Sequence, residues 1–135
     1  MKESKSVLQF KEYIVKNINF ECNLEYDNAE PIDVKIDMDA SFDINHEDMA
    51  VILKVDIFND QDKKKYPFSM NLEIVGYFSV SGENAAIENF KSNAVAILYP
   101  YARALVSTYT SNANIAPLIL PTINVNQFLK NKEKA

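Results

Sequence analysis

The sequence predicts an α+β fold: a four-stranded antiparallel sheet, then a long helix, an apolar connecting loop and a short C-terminal helix. Apolar and polar residues alternate strictly over residues 33–44, which is typical of a strand with one buried face. The chain becomes rich in alanine at helical spacing after residue 82. Strands followed by helices are the pattern of α+β domains.

Residues 7–22 are predicted to form the first strand. Apolar residues recur in this range at both helical and strand spacing, so periodicity alone leaves both structures open. The content of β-branched and aromatic residues favours a strand.

Three further strands are predicted at residues 33–44, 49–58 and 66–80, with turns at 45–48 and 59–65. The alternation slips after Ile74, because Val75 is apolar and Gly76 follows it. This slip predicts a β-bulge or bend at Gly76. Short turns between consecutive strands predict an antiparallel sheet. The inward set of the second strand is predicted to be Val34, Ile36, Met38, Ala40, Phe42 and Ile44.

The long helix is predicted over residues 83–110. Asn93 is a candidate cap for a second helical segment, and Pro100 should kink the helix or break it in two. Asn124 is a candidate cap for the last helix, at 125–131. The 135 residues are predicted to form a single domain with flexible ends at about 1–6 and 131–135.

Composition argues against several classes of function. Two glycines do not supply a Gly-rich phosphate loop, and the lone Cys22 forms no internal disulfide or metal cluster. Residues 21–60 carry twelve acidic and two basic residues, which argues against nucleic acid and suits a basic or unfolded polypeptide, or a solvated sheet face. No leader segment and no membrane-length apolar run are visible, so a cytoplasmic location is predicted.

Catalytic residues are not indicated. His46 is the only histidine and lies in a polar turn, without a predicted partner or cleft. Asp37 and Asp39 share a strand face that can hold a hard cation, although a solvated face is the preferred interpretation. Arg103, the only arginine, can hold a carboxylate across an interface or bind local backbone. We therefore predict no enzyme activity, no metal site and no cofactor.

The apolar content exceeds what one small core requires. The third and fourth strands carry apolar residues on both faces, the long helix is apolar almost all round, and the loop at 115–121 is nearly all apolar. Such a surplus predicts burial against another subunit or a ligand. Leu98, Tyr101 and Leu105 of the helix are predicted at an oligomer interface.

Residues 97–103 read Ile-Leu-Tyr-Pro-Tyr-Ala-Arg, and the apolar loop after them leads to Pro121, Asn124 and Phe128. This arrangement resembles the SecB family of export chaperones, over about residues 8 to 130. The resemblance implies a dimer of dimers without cofactor. It also implies an apolar groove that holds unfolded polypeptides or preproteins. The candidate polypeptide-binding residues are Tyr77, Phe78, Tyr109, Ile115, Leu118, Ile119 and Leu120.

The positions that the resemblance assigns to docking of the SecA motor depart from the family pattern. Glu21 keeps its carboxylate, whereas Asn17, Ser69 and Asn71 do not carry the expected residues. We therefore expect weak, salt-dependent SecA binding or none. The alternatives to a general holdase are a SecB-like dedicated chaperone for one fixed partner, such as an antitoxin, and an oligomeric interaction protein.

Overall fold

The computed structural model describes residues 7–26, 33–59, 66–82 and 86–134. It confirms the predicted α+β class and the order of its parts. The turn at 59–65, apart from its first residue, and the predicted flexible end at 1–6 lie outside the described residues. The elements are β1 (Val7–Cys22), β2 (Ile36–Asn45), β3 (Asp48–Ile57), β4 (Phe68–Ser81), a 3₁₀ turn (Ile87–Phe90), α1 (Lys91–Asn112) and α2 (Val125–Lys134).

The four strands form one antiparallel sheet in the order β1-β4-β3-β2. The predicted bulge at Gly76 is wrong, because β4 keeps its alternation and pairs with β3 without a shift. The irregularities lie in β1, between Phe10 and Glu12 and between Val15 and Asn17. The inserted residues are Lys11 and Lys16. Bulges and lysines on an edge strand discourage unwanted strand pairing.

One face of the sheet is buried beneath α1, and Gly76 makes the close approach possible. A β-carbon at residue 76 would lie 2.9 Å from Leu98 Cδ1 and 2.9 Å from Phe78 Cε1. Leu98 and Phe78 have 0% and 1% of their surface exposed. The interruption of the alternation at Gly76 is therefore not a bulge. It marks a position without a side chain, and Leu98 of the helix packs into the space.

The helix α1 continues through Pro100 as one element, so the predicted break does not occur. Proline frees the carbonyl four residues earlier, that of Ala96. Both residues lie on the exposed side of α1, where water can reach that carbonyl. The predicted cap at Asn93 is also wrong, since Phe90 occupies the N-cap position.

Several elements end where the backbone turns left-handed. His46 (φ 58°) lies in the tight turn between β2 and β3, and Asn114 (φ 61°) follows the C-cap of α1. Asn124 caps α2 as predicted, accepting a hydrogen bond from the Gln127 backbone N–H at 3.0 Å. The helix α2 extends to Lys134, beyond the predicted end at 131.

We predict that Gly76→Ala lowers the free energy of unfolding by about 1–3 kcal/mol, the typical cost of overpacking. Denaturant titration measures the change, and Ser81→Ala at the exposed end of the same strand is the control. Combining Gly76→Ala with Leu98→Ala should cost less than the sum of the two single changes, because the pair shares one space. Strict additivity would contradict this account of the packing.

Candidate functional site

The loop between α1 and α2 is held against α1 by side chains from one face of the helix. Arg103 Nε donates to the Leu120 carbonyl at 3.0 Å, and Ser107 Oγ donates to the Leu118 carbonyl at 3.2 Å. The Tyr99 hydroxyl donates to the Pro121 carbonyl. Thr110 Oγ1 accepts from the Leu118 N–H at 2.9 Å. We call these four side chains the loop anchors. They hold the loop along the surface of α1, so that it runs in the direction opposite to the helix.

Two of the loop anchors, Tyr99 and Arg103, interact electrostatically. Burial raises the pKa of the Tyr99 hydroxyl above its ordinary value, and the positive charge of Arg103 opposes part of that rise. The phenol therefore stays a neutral donor over the physiological range. The structure shows one of the two roles predicted for Arg103, the bond to local backbone, and the bond to a carboxylate across an interface stays a prediction.

An open apolar cleft of about 480 Å³ lies between the loop and the ends of the strands. Ile115 and Leu118 form its loop side, and Phe58 and Phe68 form its sheet side. Val34 also lines the cleft. It precedes β2, which begins at Ile36, and 47% of its surface is exposed. The remaining lining residues are Tyr26, Pro67, Ala116 and Pro117.

A smaller cavity of about 230 Å³ lies beside this cleft and shares Phe58 and Phe68 with it. Glu21 and Leu24 are exposed at its lining, and Leu24 shows 96% of its surface. The smaller cavity thus combines an aromatic wall with a carboxylate.

Stacked aromatic rings build the wall between the two cavities. Phe58 stacks on Tyr66 with ring centroids 4.7 Å apart and meets Phe68 edge-on at 5.2 Å. Phe20 stacks on Phe68 at 5.4 Å and lies 6.1 Å from Tyr109. Such pairs add about 0.5–1.5 kcal/mol each beyond their buried area, so the wall is firm.

The backbone of Phe58 is strained where it meets the cleft. Its φ of 53° is left-handed, which is uncommon for a bulky residue, and its N–H donates to the Lys35 carbonyl at 2.9 Å. Strain of this kind costs on the order of 1–3 kcal/mol and concentrates at functional sites. Here the left-handed conformation directs the Phe58 ring toward Tyr66 and Phe68, where it forms part of the aromatic wall.

The candidate polypeptide-binding residues of α1 and the loop divide into three groups. Ile115 and Leu118 line the cleft. Ile119 and Tyr109 are nearby and 68% and 38% exposed. Leu120 is fully buried and supports the loop from below, so it offers no surface to a ligand.

Tyr77 and Phe78 lie away from this cleft. About ten residues of β4 separate them from Phe68, or roughly 30 Å of extended strand. Phe78 points into the core and is 1% exposed, so it offers almost no surface to a ligand. Tyr77 points to the opposite face of the sheet and is 37% exposed.

Three wall residues, Phe58, Tyr66 and Phe68, were missed in the sequence. They flank the charged turn after β3 and come together only when β3 pairs with β4. The aromatic residues on both sides of that turn were the feature of the sequence that could have predicted the aromatic wall.

Oligomer-interface candidates on α1 also need correction. Leu98 is fully buried within the chain, against Gly76, and presents no surface. Tyr101 and Leu105 are half-buried, and the Tyr101 ring lies 4.4 Å from that of Tyr13. The exposed side of α1 instead carries Asn93, Ala96, Pro100, Ala104 and Thr108.

The positions assigned to motor docking lie together on the outer sheet face. Glu21 pairs with Ser69, and Asn17 pairs with Glu73 across β1 and β4. Asn71 donates to Asp56 at 2.6 Å. Glu21 is thus the one carboxylate among the four assigned positions, with other acids beside them.

No group of three or more potential metal ligands occurs among the described residues. His46 is exposed in its turn. None of the described helices is both long and apolar enough to span a membrane.

The chain matches the family model of the preprotein translocase subunit SecB over residues 1–135, and it belongs to the SecB family. An uncharacterized protein of Methanocaldococcus jannaschii is 38% identical over 137 aligned positions, covering 96% of this chain and 87% of that protein.

Two solved structures share the fold. One is the Mycobacterium tuberculosis SecB-like chaperone Rv1957 in complex with a ChAD peptide from the HigA1 antitoxin (TM-score 0.69, 15% identity, 87% of this chain and 91% of that chain). The other is a Streptococcus agalactiae protein of unknown function (TM-score 0.51, 14% identity, 90% of this chain and 100% of that chain). At these identities the likeness establishes the architecture.

We predict that Tyr99→Phe lowers the free energy of unfolding by about 0.5–1.5 kcal/mol at neutral pH, the net worth of one hydrogen bond. Because the folded pKa is raised, this contribution is complete below about pH 10 and is lost as the pH rises through the folded pKa. Denaturant titrations should therefore show wild type and variant converging at alkaline pH.

Tyr101→Phe, on the same helix, is the control for this alkaline effect. A difference between wild type and Tyr99→Phe that stays constant well above pH 10 would contradict the role of the phenol.

Proposed function

We propose that this protein is a holdase that binds unfolded polypeptides or preproteins and keeps them competent for translocation. The observation that carries the proposal is the apolar cleft between an anchored loop and an aromatic wall. The residues that line the cleft are mostly apolar, and the cleft is large enough for bulky side chains of a client. Few polar groups line it, so it has little means of selecting one client sequence.

Family membership and the shared architecture support a chaperone role. In this proposal the protein acts in the cytoplasm, without catalysis or cofactor, and needs no nucleic acid or membrane insertion. Clients contact the cleft through Ile115 and Leu118, with Ile119 and Tyr109 at its margin.

A second candidate is a dedicated chaperone for one fixed partner such as an antitoxin. Two observations favour it: Rv1957 holds an antitoxin peptide, and three of the four motor-docking positions depart from the family pattern. We accordingly propose that SecA binding is weak or absent, which a salt titration of SecA binding tests. Breadth of binding separates the candidates, since a holdase binds many unrelated unfolded chains.

We also propose a homo-oligomer, a dimer of dimers, with the exposed side of α1 at one interface. Small side chains on that side permit close approach of a second helix, and Tyr101 and Leu105 flank them. An oligomer of plain interaction function remains the alternative if no client binds.

The holdase proposal predicts delayed aggregation of a chemically unfolded preprotein at a near-stoichiometric ratio. Light scattering during dilution from denaturant measures the delay. Leu118→Asp should abolish most of it, because a carboxylate in the apolar cleft has no cationic partner among the residues that line it. Thr122→Asp, exposed in the same loop outside the cleft lining, is the matched control. Absence of any delay at several-fold excess would sink the proposal.

Oligomerisation through α1 predicts that Ala104→Glu yields smaller species while the monomer stays folded, because residue 104 is exposed in the chain. Light scattering gives the mass, and circular dichroism checks the fold. Ala104→Ser keeps the residue small and serves as the control. A wild-type protein of about 15 kDa at micromolar concentration would contradict the assembly.

A further inference from the structure

The apolar cleft and the smaller cavity beside it share one wall. Ile115 and Leu118 line the cleft, of about 480 Å³, and Leu24 lines the smaller cavity, of about 230 Å³. Phe58 and Phe68 line both. A client that fills the two cavities must therefore pass over these rings.

The Phe58 ring is held in this wall by its own backbone and by its neighbours. Its φ of 53° is a conformation that glycine adopts readily and bulky residues rarely adopt. Its N–H donates to the Lys35 carbonyl at 2.9 Å. The ring stacks on Tyr66 at 4.7 Å, meets Phe68 edge-on at 5.2 Å and is only 3% exposed. Phe58 is therefore a fixed partition between the two cavities.

Both cavities can hold an apolar side chain of a client. The cleft is lined mostly by apolar residues. The smaller cavity has the aromatic wall and Leu24 as its apolar surface. Glu21 also lines it but is exposed, so its carboxylate can stay hydrated when an apolar side chain enters.

The partition sets the spacing of the client side chains that can enter both cavities. Alternate side chains of an extended chain point to one side and recur about every 6.6 Å, twice the rise per residue. That spacing is close to the sum of two carbon contacts of about 3.5–4.0 Å each, one on each side of a ring. Adjacent side chains point to opposite sides, so only one of them can enter.

We propose that Phe58 is the specificity-determining residue of the client site, an inference that rests on the holdase proposal. Its ring divides the site, so that an extended client binds through two apolar side chains at positions i and i+2, one in each cavity. The site then reads the spacing of apolar side chains and leaves their identity open. Many unrelated unfolded chains meet that requirement, as a holdase needs.

Two fluorescent peptides of identical composition test the spacing. Each carries two leucines in a serine and threonine background, separated by one residue in the first peptide and adjacent in the second. Fluorescence anisotropy should show that the wild-type protein binds the spaced peptide about fivefold or more tightly than the adjacent one. This is roughly the effect of one additional good contact.

The variant Phe58→Gly removes the partition. Glycine suits the left-handed backbone at this position, so the strand end should keep its course. The preference for the spaced peptide should fall to about twofold or less, because the two cavities become one. Phe58→Tyr keeps a ring and should keep the preference.

Phe20→Ala is the matched control. Phe20 stacks on Phe68 in the same aromatic cluster, yet it is absent from the described linings of both cavities. This variant should loosen the cluster and still prefer the spaced peptide. Thermal unfolding checks that each variant is folded at the temperature of the binding measurement.

The wild-type comparison is decisive without any variant, since equal binding of the two peptides would overturn the proposal. A preference that persists in Phe58→Gly, or that disappears in Phe20→Ala as well, would also overturn the role of Phe58. So would a failure of the protein to bind either peptide. None of these results decides the holdase proposal, which the aggregation of unfolded preprotein tests separately.

Discussion

The hydrogen bonds between α1 and the following loop are the constraint on which the cleft depends. An extended apolar loop laid on a helix exposes backbone groups that need partners, and each one left unpaired in a buried site costs about 1–3 kcal/mol. Tyr99, Arg103, Ser107 and Thr110 supply those partners from one face of α1. Leu120 can then point into the core, and Ile115 and Leu118 can line the cleft.

The anchored loop would be of little use unless α1 itself were fixed against the sheet. Gly76 leaves the space that Leu98 fills, which allows the close approach of helix and sheet at that point. The opposite wall is equally constrained, since the Phe58 ring is held by a left-handed backbone and two aromatic neighbours. An apolar site with firm walls can accept varied side chains without collapsing on itself when empty.

Sequence patterns predicted the elements well because burial sets both the strand alternation and the helical spacing. They failed where contact depends on pairing between strands. The Val75–Gly76 slip resembles a bulge, yet its cause is Leu98, twenty-two positions beyond Gly76 in the chain. Tyr77 and Phe78 were assigned to one surface, although neighbours in a strand point to opposite faces. The aromatic wall was missed because its residues meet only across the β3–β4 pair. Of the four loop anchors, the sequence indicated only Arg103 as a possible partner of local backbone. A serine or threonine on a helix does not reveal which backbone group it binds.

The most direct test of the central claim is to map, by NMR of the methyl and aromatic signals, where an unfolded client contacts the protein. The account predicts the largest shifts at Ile115, Leu118 and Phe68, and little change at Ile14 and Val75 on the outer sheet face. Tyr99→Phe should reduce the shifts at the loop residues, because the loop is then less firmly held. Client shifts confined to Ile14, Val75 and Tyr77, with the cleft signals unmoved, would contradict the account.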